Sequence, residues 1–333
     1  MILTPFTKAN EETTTLETLD KKSYPCSKED VLGMNWIDRT QNYLSGSVCG
    51  VAIWFDRFFG GEREEEENID RFVRLTNSFK WQQGEGFDFK PRVRARIQLP
   101  QFKKHLNLIL SGEDDRTIGE TLNQEDGFKE KDPNAKISNA NNDKHDLGVR
   151  WNVIREPTSS FSISGKLRLN SFEIRPAIIT RYRYIHGLGP YALSRTTQTV
   201  FWYKKEGFGE TTRLDLERLI TSETLLRWSI AGTYSEISHG IDWGMETSLF
   251  HEFSPEEAVS LDVAIWGATL PSIATENYRI GVRYRRNFYR PWLFFEIEPE
   301  LSWPKINDPG EREITPAIMF RLEFLFGHKQ EEI

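Results

Sequence analysis

Long hydrophobic runs are missing from this 333-residue chain: no stretch approaches the roughly 18 or more apolar residues that a spanning helix needs, so any membrane crossing would have to be made by strands. An excess of positive charge is missing too. The net charge is −7, so the chain lacks the basic surplus by which nucleic-acid binders neutralise phosphates, and that class is set aside. Cysteine is scarce. Cys26 and Cys49 fit one disulfide or two free thiols, at no metal-like spacing. The start, from Met1 to Lys22, lacks the charged, apolar and small-residue zones of a secretory signal. The expectation is a chain that begins after processing or whose start was assigned elsewhere.

Catalytic and metal motifs are equally sparse. His105, His145, His186, His239, His251 and His328 are dispersed, and no nucleophile elbow, phosphate-cradling glycine loop or cysteine knuckle occurs. The reading is therefore of a protein that is not an enzyme and uses no cofactor and no metal. A Ser-His-Asp site assembled from separate strands, as in an outer-membrane hydrolase, stands third among the functional readings.

What the chain does have is aromatics, 13% of residues, combined with 28% charged residues and a mean hydropathy of −0.55. Their arrangement divides the chain into zones. Residues 1–27 are Thr-, Glu- and Lys-rich without periodicity and read as a disordered leader. Residues 28–68 read as a helical segment, periplasmic or plug-like, with an acidic linker. Within it Leu32, Trp36, Tyr43, Leu44, Val48, Ala52, Phe55 and Phe59 recur at mostly helical steps, Ser27 caps the start, Gly60 and Gly61 stop the helix, and Glu62 to Glu67 make the linker. An amphipathic helix of this kind needs a partner for its apolar face, within the barrel or on another envelope protein.

Residues 69–326 change to a period of two, and 327–333 form a tail. Val93, Ala95, Ile97 and Leu99 share one face while Arg92, Arg94 and Arg96 share the other. The pattern returns with Leu226, Trp228 and Ile230, with Val259, Leu261 and Val263, and with Ile318, Phe320, Leu322 and Phe324. Fourteen candidate strands, centred from Leu75 to Leu322, predict an all-β fold: a transmembrane antiparallel up-and-down β-barrel of about 14 strands, with 12 as the alternative. Strands near ten residues, with Trp243, Tyr278, Tyr284, Trp303 and Phe326 towards their ends, favour a membrane barrel over a soluble sandwich. Its surroundings would be outer-membrane lipid. Turns at Pro100–Lys103, Pro157–Ser159, Ser254–Glu256 and Arg290–Pro291 are expected on the periplasmic side, and the long Gly112–Asp146 segment outside. Tyr191–Tyr203 alternates poorly, and Pro176 and Pro299 interrupt ladders.

The opposite, lumen-facing rows carry charge. The expected basic wall comprises Arg92, Arg94, Arg96, Arg150, Lys166, Arg168, Arg175, Arg181, Arg183, Arg279, Arg283 and Arg285. The expected acidic wall comprises Asp215, Glu217, Asp242, Glu246, Asp262, Glu296, Glu298 and Glu300. Two uses are open: a transverse field across a water-filled pore, or pairing between strands that fills the lumen. For the three arginines 279, 283 and 285 beside the three glutamates 296, 298 and 300, pairing is the expected role.

The stretch YRRNFYRPWLFFEIEPEL from Tyr284 to Leu301 resembles the closing hairpin of an uncharacterised family of gammaproteobacterial outer-membrane proteins, and WIDR at 36–39 and WFDRFFG at 54–60 resemble it more weakly. FRLEFLF at 320–326 is similar to the signal read by the barrel assembly machinery, although Gly327 to Ile333 follow it. The resemblance implies a Gram-negative outer-membrane location and insertion by that machinery. The functional expectation is a porin-like channel for small polar or charged solutes, with a closed envelope scaffold that binds a periplasmic partner through its helix as the alternative.

Overall fold

The computed structural model describes residues 48–59, 71–98, 106–112, 145–155, 158–170, 173–204, 207–236, 240–270, 274–305 and 311–327. The expected leader, the helix before Val48, the acidic linker, Leu99 and the bulk of the 112–146 segment lie outside the described residues, as does most of the tail.

Helix α1 spans Val48–Phe58. Fourteen strands follow: β1 (Arg71–Gln82), β2 (Gly86–Gln98), β3 (Leu106–Gly112), β4 (His145–Arg155), β5 (Ser159–Asn170), β6 (Glu173–Gly187), β7 (Ala192–Tyr203), β8 (Gly207–Thr221), β9 (Thr224–Ser235), β10 (Ile241–Ser254), β11 (Glu257–Ala268), β12 (Ala274–Asn287), β13 (Leu293–Ser302) and β14 (Thr315–Gly327). Each pairs antiparallel with its neighbours in sequence, and β14 closes on β1 with Leu75 opposite Phe324. The sheet is a closed barrel without an edge, so every strand finds hydrogen-bonding partners on both sides. All fourteen sequence-derived centres fall inside these strands.

Because side chains alternate across a strand, register sorts the wall into two faces. Outward stand Val93, Ile97, Trp151, Ile230, Val263, Val282 and Phe320, all exposed apolar residues. Aromatics gather near strand ends, with Phe79 stacked on Phe89 at 4.6 Å and Trp292 on Phe326 at 5.5 Å. An exposed apolar belt around a closed barrel is stable in lipid, where water is not required to satisfy the backbone; this is the architecture of Gram-negative outer-membrane proteins.

The turns between β4 and β5, β6 and β7, β8 and β9, β10 and β11, and β12 and β13 share one rim, together with the start of β1 and the end of β14. The end of β3 at Gly112 and the start of β4 at His145 lie at the other rim. That rim is not uniformly long, which departs from the expected asymmetry: β1 and β2 are joined by residues 83–85 alone, with Gly84 and Gly86 at φ 88° and 86°. The left-handed backbone that such a tight hairpin requires suits glycine.

β7 pairs regularly along its whole length despite its poor alternation. Leu193, Phe201 and Tyr203 face inward there, so both faces carry apolar residues and the period-two signal fades. Pro176 and Pro299 are also accommodated within β6 and β13.

Candidate functional site: the inner wall and its helix

Helix α1 lies inside the barrel, near the rim of the short turns. Val48, Cys49, Ala52, Ile53, Trp54, Phe55, Phe58 and Phe59 are buried in one cluster with Ile185, Leu193, Leu225, Phe250, Ala258 and Phe294, inward residues of β6, β7, β9, β10, β11 and β13. The described side chains of this helix are buried nearly all round, with only Val51 half-buried, as befits a helix enclosed by a wall. Phe55 meets Phe250 at 5.2 Å, and Phe58 meets Phe294 edge-on at 6.0 Å. Each such buried aromatic contributes roughly 1.5–3 kcal/mol relative to exposure. Cys49 is disulfide-bonded; Cys26, the other cysteine, lies outside the described residues.

One acid interrupts this surface. Asp56, 6% exposed, places Oδ1 2.8 Å from Arg227 Nη1 and Oδ2 3.7 Å from Arg195 Nη1. Glu217 on the wall completes the group: Arg227 Nε donates to its Oε1 at 2.8 Å, and Arg195 Nη2 lies 3.7 Å from its Oε2. The Arg227 guanidinium also lies over the Phe250 ring at 5.1 Å. Two cations and two anions thus lock helix to wall. Removing one member of such a buried group would leave a charge without compensation, which costs several kcal/mol.

A second network binds the closing strands. Arg285 donates to Glu296 at 3.1 Å and to Glu323 at 2.7 Å, Arg74 reaches Glu323 at 3.3 Å, and Arg321 donates to Glu296. Arg279 bonds Glu298 at 3.4 Å and also Glu300, which receives Lys80 at 3.0 Å. These contacts link β12, β13, β14 and β1, so charge pairing bridges the place where the last strand meets the first.

Among the sequence-derived site residues, register puts all twenty on the inward rows. Their surroundings differ. Arg92, Arg94, Lys166, Arg175 and Arg181 are half-buried, Arg96, Arg150 and Arg183 are buried, and the side chain of Arg168 is outside the described set. Arg150 Nε donates to Ser164 at 3.2 Å. On the far side Asp215, Glu217, Glu246, Asp262, Glu296, Glu298 and Glu300 are buried and Asp242 is half-buried. Arg213 Nε and Ser229 Oγ donate to Asp215 at 2.8 and 2.5 Å, Ser248 to Glu246 at 2.9 Å, and Ser260 to Asp262 at 2.7 Å.

Sequence reading left out the cations that neutralise these acids, Arg74, Lys80, Arg195, Arg213, Arg227 and Arg321, and two further acids in the same networks, Glu323 and Asp56. The division into a basic first half and an acidic second half is therefore softened, because arginines alternate with the acids of β8 and β14 and Arg227 of β9 stands beside Glu217. Buried carboxylates need such compensation. The available signal was the inward parity itself, since Arg213, Asp215 and Glu217 share one row.

Among the described residues no group of three or more His, Cys, Asp or Glu is placed to hold a metal ion. His251 Nδ1 lies 2.9 Å from Thr224 Oγ1 and its ring stands edge-on to Phe253, while nearby Glu223 accepts from the hydroxyls of Ser222 and Thr221.

No protein-family model matches this chain, and no curated protein matches it. Solved structures similar to it include the KdgM porin, at 5% identity and TM-score 0.37 over 76% of this chain and 99% of that one. Others are the outer membrane channel DcaP of Acinetobacter baumannii, at 9% identity and TM-score 0.44 over 78% and 96%, and Pseudomonas aeruginosa OprD, at 8% and 0.42 over 79% and 96%.

Proposed function

We propose that this protein is a porin-like channel of the gammaproteobacterial outer membrane, passing small polar or charged solutes, with α1 as a plug held in its lumen. The observation that carries this reading is a helix enclosed by inward residues of six strands and fastened by Asp56. A helix serving only to strengthen the wall would need no buried charge, whereas a releasable one gains a specific seat from it. The half-buried arginines of β2 and β6, with Lys166 of β5, line the side of the lumen where side chains reach solvent, which biases passage towards anions. The final strand is the segment handed to the barrel assembly machinery, and the surrounding partner is outer-membrane lipid.

A second reading is favoured by a separate observation. The inward residues of β8 to β14 are mostly buried and paired, as in a closed barrel serving as an envelope scaffold whose N-terminal segment meets a periplasmic partner. Single-channel conductance of the refolded full chain in a planar bilayer separates the two. The channel reading expects discrete openings whose frequency rises when Phe55→Ala and Phe58→Ala loosen the helix. Silence in both proteins, with folding verified by heat-modifiable migration on gels, would leave the scaffold.

A further inference from the structure

The seat of α1 has the composition of a ligand site already occupied from within. Its floor is apolar and aromatic: Leu193, Leu225, Phe250 and Phe294. Its polar end is a pair of guanidiniums, Arg195 and Arg227, which grip one carboxylate of the helix. Beside the guanidiniums the helix presents a phenyl ring, Phe55, on Phe250 and the neighbouring carboxylate, Asp56, while Phe58 covers Phe294. The quartet of Asp56, Glu217, Arg195 and Arg227 carries two charges of each sign, so withdrawal of the helix leaves Glu217 against two arginines. On the adjoining wall Arg213 is matched by Asp215, which stands opposite Arg195 in register, and the inward acids Glu246, Glu252 and Asp262 stand along β10 and β11 with Arg283 on β12, so the positive surplus is confined to the seat itself. A desolvated cation beside aromatic rings calls for an anion, and an apolar floor calls for a ring or chain attached to it.

We propose that Asp56 and Phe55 act as an internal stand-in for the solute, and that the wall they occupy is a binding site for a small amphipathic monocarboxylate, an aromatic ring joined to a carboxylate. The proposal rests on the reading of α1 as a displaceable plug. Arg195 and Arg227 receive the carboxylate, Arg227 bridges it to the Phe250 face, and the solute enters by taking the place of the helix. Neutral or cationic analogues of the same size lack the group that the arginines require, and acetate lacks the ring.

The test uses the refolded full chain and 3-phenylpropionate as probe, with 3-phenylpropanol and acetate as controls, read by titration calorimetry. Wild type is expected to bind the probe weakly, because the helix competes. Asp56→Asn removes the competing charge and should tighten binding at least tenfold, whereas Arg227→Gln in the same background should abolish it. Should Asp56→Asn not migrate as a folded barrel, Phe55→Ala, which thins the apolar contact and keeps the ion pairs, carries the same expectation of tighter binding. Equal affinity in wild type and the loosened variants, or equal binding of the alcohol, would overturn the proposal. Conductance of the same proteins separates this inference from the channel reading: openings without probe binding sink the carboxylate site alone, and probe binding to a barrel that never conducts sinks the channel while the site stands.

Discussion

The two sides of the barrel wall solve the problem of inward charge differently. Along β2 to β6 the row is basic and several of its side chains are half-exposed; along β8 to β14 cations and anions alternate and are sealed from solvent. A cation that water reaches needs less from its neighbours, whereas a sealed one must be compensated group by group. The first side is therefore suited to acting on what passes, and the second to holding the cylinder shut around it.

The largest way to break this comparison is at the closing seam. Glu296→Gln removes the negative charge shared by Arg285 and Arg321 and one of its two acceptor oxygens, and should cost about 3–5 kcal/mol, as loss of one partner from a buried ion group does. Urea unfolding of the barrel in lipid vesicles reads it, and a change within experimental scatter would show that the sealed side is hydrated. A charge on the outer belt is expected to cost slightly less: Ile230→Lys, midway along β9, should destabilise by about 2–4 kcal/mol in the same assay. Arg94→Ala, at a half-buried position, should cost less than either, about 1 kcal/mol, because a partly solvated charge gains less from its surroundings than a sealed one. Its effect belongs to transport. Combined with Arg96→Ala it should lower the anion preference measured as reversal potential across a salt gradient, and an unchanged potential would remove β2 from the pathway. The smallest effect is that of salt. Raising ionic strength from 0.15 to about 1 M shortens the screening length from about 8 to about 3 Å, so selectivity should weaken while stability of the paired side changes little.

The fold was open to sequence reading because lipid and lumen impose opposite demands on alternate residues, and rows such as Val93–Leu99 record them directly. The site was less open. Inward parity identified Arg94, Glu217 and Glu296, but it cannot show that Asp56, on a helix before the barrel, meets Arg195 and Arg227 on strands far along the chain. β7 hid Arg195 further, since Leu193, Phe201 and Tyr203 share its inward face and blur the alternation. The helix had the same difficulty: its spacing marks an apolar stripe, and only enclosure explains why Ile53 and Trp54, off that stripe, are buried as well.

Helix α1 is joined to β1 by residues 59–70, a span that reaches at most about 40–43 Å even fully extended. The helix therefore cannot be diluted away from its seat. A tethered competitor of this kind acts at an effective concentration on the order of millimolar, independent of how much protein is present. On the proposed reading of α1 as a plug, any solute that takes its place would have to be abundant as well as complementary, so the threshold for opening would be set by the length of the tether as much as by the chemistry of the wall.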